Sequence, residues 1–123
     1  KTSTFLANSI CSNATILAHQ VKAKAIVAFT HSGYTAYRIA SHRPETLIIA
    51  FTDNPQTVNK LSLVWGVIAN YMETYENLND VLPHSIEILK DKNLVKEGDI
   101  LVHVGSIPLK LHGKTNMLKV SEV

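Results

Sequence analysis

Hydrophobic positions along the chain switch repeatedly between two spacings. Starting from Thr2 and Ser3, which suit a helix start, Phe5, Leu6, Ile10, Leu17 and Val21 recur at helical intervals. The run Ala25-Ile26-Val27-Ala28-Phe29 is continuous and apolar. It is too short for a helix of its own and reads as a strand covered on both faces. Thr30-His31-Ser32-Gly33 breaks the run, and Tyr34 to Ser41 reads as a short helix. Pro44 stops that helix, because proline disfavours a helical residue before it. Leu47-Ile48-Ile49-Ala50-Phe51 is a second covered strand. Asn54 and Pro55 form a helix start, cap then first turn. That helix is expected to run through Val58 and Leu61 towards Trp65, with Gly66 ending it. Val67 to Tyr71 is a third strand, and a polar stretch over 73–79 leads to a helix from Asp80 through Ile86, Leu89 and Leu94. After the turn Glu97-Gly98-Asp99 come a fourth strand, Ile100 to Val104, a loop over 105–115, and a final strand, Asn116 to Val120.

Repeated helix and buried-strand units define an α/β domain with helices on both faces of a mostly parallel sheet. The last two strands are joined by a loop instead of a helix, so the final strand is expected to lie antiparallel at the sheet edge. The length of 123 residues suits one domain. With 46% hydrophobic and 18% charged residues, the composition is that of a globular chain and excludes a disordered one. No apolar run approaches the ~20 residues of a membrane span, and the first residues carry no signal-peptide pattern. The lone Cys11 cannot form an internal disulfide, which suits a reducing, cytoplasmic compartment. It is expected to serve as a small buried apolar residue.

The net charge of +2 conceals an asymmetry. Residues 1–44 carry five basic and no acidic side chains, residues 45–99 four basic and nine acidic, and residues 100–123 three lysines against Glu122. Basic ends around an acidic middle could converge on an anion, while the total is too small for a nucleic-acid footprint. Two loops carry candidate chemistry. Thr30-His31-Ser32-Gly33-Tyr34-Thr35 lies between a strand's carboxyl end and a helix start, where open α/β sheets bind ligands. Free N–H groups and the positive end of the helix dipole suit phosphate there. Thr30, Ser32 and Thr35 add hydroxyls, and Gly33 lets the backbone close on a ligand. From the residues alone a second reading stands beside this one, in which Thr30 and Ser32 only cap the helix. The other loop, Gly105 to Asn116, holds Lys110, His112, Gly113, Lys114 and Thr115 and no acid. It reads as a binding loop or a plain connection.

Several classes are excluded. GxGxxG and GxxxxGK[ST] are absent, which removes dinucleotide and nucleoside-triphosphate fingerprints. The six histidines show no HxxxH or HExxH spacing, so no metal site is expected. His31-Ser32 lacks a GxSxG elbow, and adjacent residues do not face each other as a nucleophile and base must. Asp53 and Glu45 are explained by helix capping and solvent exposure, and Trp65 and Tyr71 by core packing.

Read together, particular strings resemble one family. They are Ala23 to Ala36, with its Thr30-His31-Ser32-Gly33 centre; His42-Arg43-Pro44; Ile48-Ile49-Ala50-Phe51-Thr52; Leu61 to Val67; Glu97-Gly98-Asp99-Ile100; Gly105-Ser106; and Gly113 to Val120. In this order, from about residue 5 to the end, they resemble the C-terminal domain of pyruvate kinases. The resemblance implies a three-layer α/β/α domain on a five-stranded mixed sheet with the last strand antiparallel. It implies an allosteric, oligomer-building role. The loop 30–35 would hold the phosphate of a phosphorylated sugar or of phosphate itself, and Lys110, His112, Gly113, Lys114 and Thr115 would close over it. Self-association would use the edge strand 116–120 and helices. Relatives often carry arginine where Tyr34 stands, and this chain's closing loop offers only Lys110, His112 and Lys114 as cations, which points to a monophosphate over a bisphosphate.

The whole chain, 1–123, is then expected to be a single such domain with no catalytic residue and no cofactor. The parent's barrel and lid domains, its magnesium and potassium, and its transfer of phosphate from phosphoenolpyruvate to ADP would lie elsewhere. The start at Lys1 is what a piece cut from a longer chain would show. Two competing expectations are an assembly domain without an effector and a free-standing small-molecule enzyme on the same fold. Neither nucleic acid nor membrane is expected as a partner.

Overall fold

The computed structural model describes residues 2–73, 78–105 and 115–123, apart from the side chains of residues 2, 3, 78 and 79. The elements are α1 (Thr2–Gln20), β1 (Ala25–Phe29), α2 (Tyr34–Ser41), β2 (Leu47–Thr52), α3 (Pro55–Leu61), β3 (Val67–Tyr71), α4 (Leu78–Asp91), β4 (Ile100–Gly105) and β5 (Met117–Glu122). The five strands form one sheet in the order β3-β2-β1-β4-β5. β1 pairs in parallel with β2 and β4, and β2 with β3, while β5 runs antiparallel to β4. The expected mixed sheet with an antiparallel edge pair is therefore present.

Strand alternation splits the core in two. On one face Ile26, Ala28, Ile48, Ala50, Val102 and Val104 pack beneath α1, α2 and α3. On the other Ala25, Val27, Phe29, Ile49, Phe51 and Leu101 meet Val81, Leu82 and Leu89 of α4. Every residue of β1 is buried, which is why its sequence reads as an unbroken apolar run. His103, on the α4 face of β4, is fully buried with its ring stacked on Phe29 at 5.9 Å. Neither ring nitrogen has a hydrogen-bond partner among the described residues. Burial, aided by the charge of Lys119, lowers its pKa to about 4.

Four expectations need correction. α1 fully buries Ala7, Cys11, Ala14 and Ala18; of the large residues whose spacing suggested its inner face, Ile10, Leu17 and Val21 are half-buried against that core, while Phe5 and Leu6 are exposed, Phe5 at 73%. Small side chains let the helix axis approach the sheet closely, so the buried stripe is the least bulky one. α3 ends at Leu61, with Ser62 as its C-cap, well short of Trp65. Trp65 and Tyr71 are not core residues but exposed, Trp65 at 73% with the Arg43 guanidinium 5.9 Å above its ring. α4 stops at Asp91 instead of Leu94, because Asn93 turns left-handed at φ 61 and the Leu94 N–H bonds back to the Leu89 carbonyl. The start of α3 is as expected: Pro55 occupies the first turn, and the Asn54 side chain accepts from the Gln56 N–H at 3.0 Å.

Candidate functional site

Sheet order places the candidate crevice. From β1 the chain adds β2 and β3 on one side, then returns to lay β4 on the other side of β1. The strand order thus reverses between β1 and β4, and crevices open at the carboxyl ends of strands flanking such a reversal. The two loops singled out in the sequence leave those two strands. Gly105 ends β4 directly beside Phe29, the register partner at the end of β1. A side chain at Gly105 would collide with the Phe29 carbonyl oxygen, so only glycine lets the strands sit this close here.

The turn from β1 to α2 is tightly specified. The Thr30 N–H bonds to the Phe51 carbonyl, continuing the sheet pattern by one residue. The Thr30 hydroxyl accepts from the Gly33 N–H at 2.9 Å, and the Ser32 hydroxyl accepts from the Tyr34 N–H at 3.4 Å. Gly33 is the N-cap of α2 in the left-handed region at φ 95, with no side-chain cap of its own. The capping reading is thus realised only in part, through Thr30 and Ser32 reaching forwards to the Gly33 and Tyr34 N–H groups. The next N–H groups, of Thr35 and Ala36, carry no hydrogen bond among the described residues and lie at the positive end of the helix dipole. The His31 carbonyl accepts from the Thr52 hydroxyl at 3.1 Å and the Thr57 hydroxyl at 2.8 Å, which turns it towards β2 and α3.

Two further contacts complete the site. The Thr35 and Thr115 hydroxyls bond to each other at 2.9 Å, both residues buried, and the Asn116 N–H bonds to the Gly105 carbonyl. The end of the second loop is therefore tied to the first turn of α2. Of the closing-loop candidates only Thr115 is described; Lys110, His112, Gly113 and Lys114 lie outside the described residues. His31 Nδ1 lies 2.7 Å from an Asp53 carboxylate oxygen, the ring side chain 31% exposed.

Asp53 had been expected to be a helix cap or a solvated acid, and its pairing corrects that. The signal was present in the register: Phe29 pairs with Phe51, and His31 and Asp53 each follow two residues later. Tyr34 turns towards α1, its hydroxyl 3.4 Å from Asn8 and accepting from Arg38 Nε at 3.1 Å. Cys11 lies fully buried under this corner, and burial raises its thiol pKa to about 11, so it stays protonated and unreactive.

The arrangement can hold a small oxyanion against backbone N–H groups and hydroxyls. Among the described residues no three His, Cys, Asp or Glu side chains converge as metal ligands would. No helix among them is long and apolar enough to cross a membrane.

An open parallel sheet with one antiparallel edge pair, helices on both faces and a crevice at its strand-order reversal defines the class: an open α/β domain with a crevice at the carboxyl edge of its sheet. The family described as pyruvate kinase, alpha/beta domain, matches residues 8–121, and the chain belongs to it. It is 32% identical over 103 residues to the pyruvate kinase of Lactobacillus delbrueckii subsp. bulgaricus, covering 84% of this chain and 18% of that protein. To the pyruvate kinase of Staphylococcus saprophyticus it is 33% identical over 117 residues, covering 95% and 20%. Among solved structures, Cryptosporidium parvum pyruvate kinase in complex with ADP superposes with a TM-score of 0.83 at 28% identity, covering 94% of this chain and 23% of that one. The chain thus spans about a fifth of the length of the curated relatives it matches.

Proposed function

We propose that this chain is the effector-binding and assembly domain of a cytoplasmic pyruvate kinase, an enzyme that transfers phosphate from phosphoenolpyruvate to ADP. The domain itself does no chemistry: the barrel and lid carry the reaction with their magnesium and potassium, and this chain contacts the barrel. Its work is to hold the phosphate of a sugar monophosphate, or phosphate itself, at Thr30, His31, Ser32, Gly33, Tyr34 and Thr35. Lys110, His112, Gly113, Lys114 and Thr115 close over it.

The observation that carries this reading is the Thr35–Thr115 bond, which joins the closing loop's end to the helix start. An effector seated between them would bias one arrangement of the parent over another by its difference in affinity for the two.

Calorimetric titration with inorganic phosphate, glucose 6-phosphate and fructose 1,6-bisphosphate tests it. The monophosphates are expected to bind, and Thr30→Ala with Ser32→Ala to weaken them about fivefold or more through lost charge-assisted bonds. In the complete enzyme the same ligand is expected to shift phosphoenolpyruvate affinity. Absence of both effects reduces the loop to a helix cap. A second reading, assembly alone, is favoured by β5: it is an edge strand whose Leu118 and Val120 are exposed, as a self-pairing edge requires.

A further inference from the structure

α1 and α2 flank an open groove of mixed polar and apolar lining that the effector reading does not use. It measures about 390 Å³ and is lined by Phe5, Ser9, Ser12, Arg38, Ser41 and His42, among others. Arg38 dominates its electrostatics. The guanidinium lies 5.5 Å from the centre of the Tyr34 ring, and its Nε donates to the Tyr34 hydroxyl. Those two contacts fix the plane of the fork while leaving its terminal amino groups without a hydrogen bond among the described residues. The Tyr34 hydroxyl is in turn 3.4 Å from Asn8, which anchors the assembly to α1.

Neither helix that forms the groove carries a carboxylate to balance this charge. Residues 1–44, which build α1, β1 and α2, contain no Asp or Glu, and the ion pair seen between described side chains is His31 with Asp53. A pre-oriented guanidinium beside serine hydroxyls, with no acid on either helix to pair it, has the chemistry of an oxyanion receptor. The Phe5 ring at the groove adds an apolar wall, 73% exposed.

We propose that the α1–α2 groove is a binding site for a small organic carboxylate, gripped by the Arg38 fork, hydrogen-bonded by Ser9 and Ser12, and covered on its apolar side by Phe5. The site is independent of the phosphate loop, although both touch Tyr34. A carboxylate is preferred to a bare inorganic anion because the planar fork matches two coplanar oxygens and the aromatic wall contributes only to a ligand with an apolar part.

Titration of the chain with benzoate, acetate and sulfate at constant ionic strength tests this, followed through backbone amide signals and the Arg38 Nε–H signal. Benzoate is expected to saturate in the millimolar range, to move the Arg38 Nε–H, Ser9 and Ser12 signals, and to bind more tightly than acetate. Arg38→Gln should weaken it about tenfold or more, as loss of a charged hydrogen-bond partner does. Arg38→Lys, which keeps the charge and lacks the fork, should weaken it severalfold with an unchanged circular dichroism spectrum. The proposal is overturned by non-saturating shifts, by an Arg38→Lys variant that binds benzoate as the parent does, by tighter binding of sulfate, or by shifts centred on Gly33 and Thr35.

Discussion

A buried imidazole with no partner is stable only as the neutral form, since taking a charge into the core without compensation is costly. His103 is in that position, stacked on Phe29 with its pKa lowered from 6.5 to about 4. The sign of the consequence follows. Between those two values the unfolded chain takes up a proton that the fold refuses, so the contribution is complete above pH 6.5 and is lost as the pH falls to 4. A displacement of this size corresponds to about 3 kcal/mol. Urea unfolding at a series of pH values is expected to show that loss in the native chain. In His103→Phe, which keeps a flat ring against Phe29, the same series should lose this component. An equally steep fall in the variant would assign the acid sensitivity to other groups. His103 is set apart in the sequence only by its place inside the apolar run Ile100 to Val104; that its ring meets no partner follows from packing.

Elements differed in how much their residues disclosed. Strands β1 and β2 were plain from uninterrupted apolar runs, since a strand covered on both faces has no polar side to show. The cap at Asn54-Pro55 was equally plain, because its chemistry is local. The inner face of α1 is only partly visible in its bulky residues: Ile10, Leu17 and Val21 flank the core, while Phe5 and Leu6 lie outside it. Ala7, Cys11, Ala14 and Ala18 form the seam, where a close helix–sheet approach leaves room only for small side chains. Enlarging that seam is therefore expected to be harmful: Ala14→Leu should lower unfolding stability by about 1–3 kcal/mol, the usual cost of overpacking. Ile16→Ala on the exposed side should change it by less than about 0.5 kcal/mol. Similar losses from the two would place the seam elsewhere. The end of α3 departs from the pattern for the converse reason: Leu63 and Trp65 extend the apolar spacing but are exposed.

At the scale of the molecule, the candidate site could be sensed in the sequence only as two separate loops. Thr35 and Thr115 meet because β4 inserts beside β1, a fact of strand order that no local spacing encodes. The pairing of His31 with Asp53 is likewise a matter of neighbouring strands in register. Strand order also leaves β5 at the rim, with Val120 44% exposed. If that rim pairs with a second copy, Val120→Lys should convert the associated species to monomer in sedimentation and abolish the dependence of the unfolding midpoint on protein concentration. A wild-type chain that is monomeric throughout the micromolar range would remove the rim as a self-pairing surface.

The reversal of strand order has one more consequence, for how the chain is made. Within this domain β1 acquires β2 on one flank soon after it is made, but its other flank stays bare until β4, about seventy residues further along the chain, has emerged. A nascent chain paused before residue 100 would therefore present the unpaired backbone of Ile26, Val27 and Ala28 to its surroundings. Such an intermediate is a natural client for ribosome-associated chaperones.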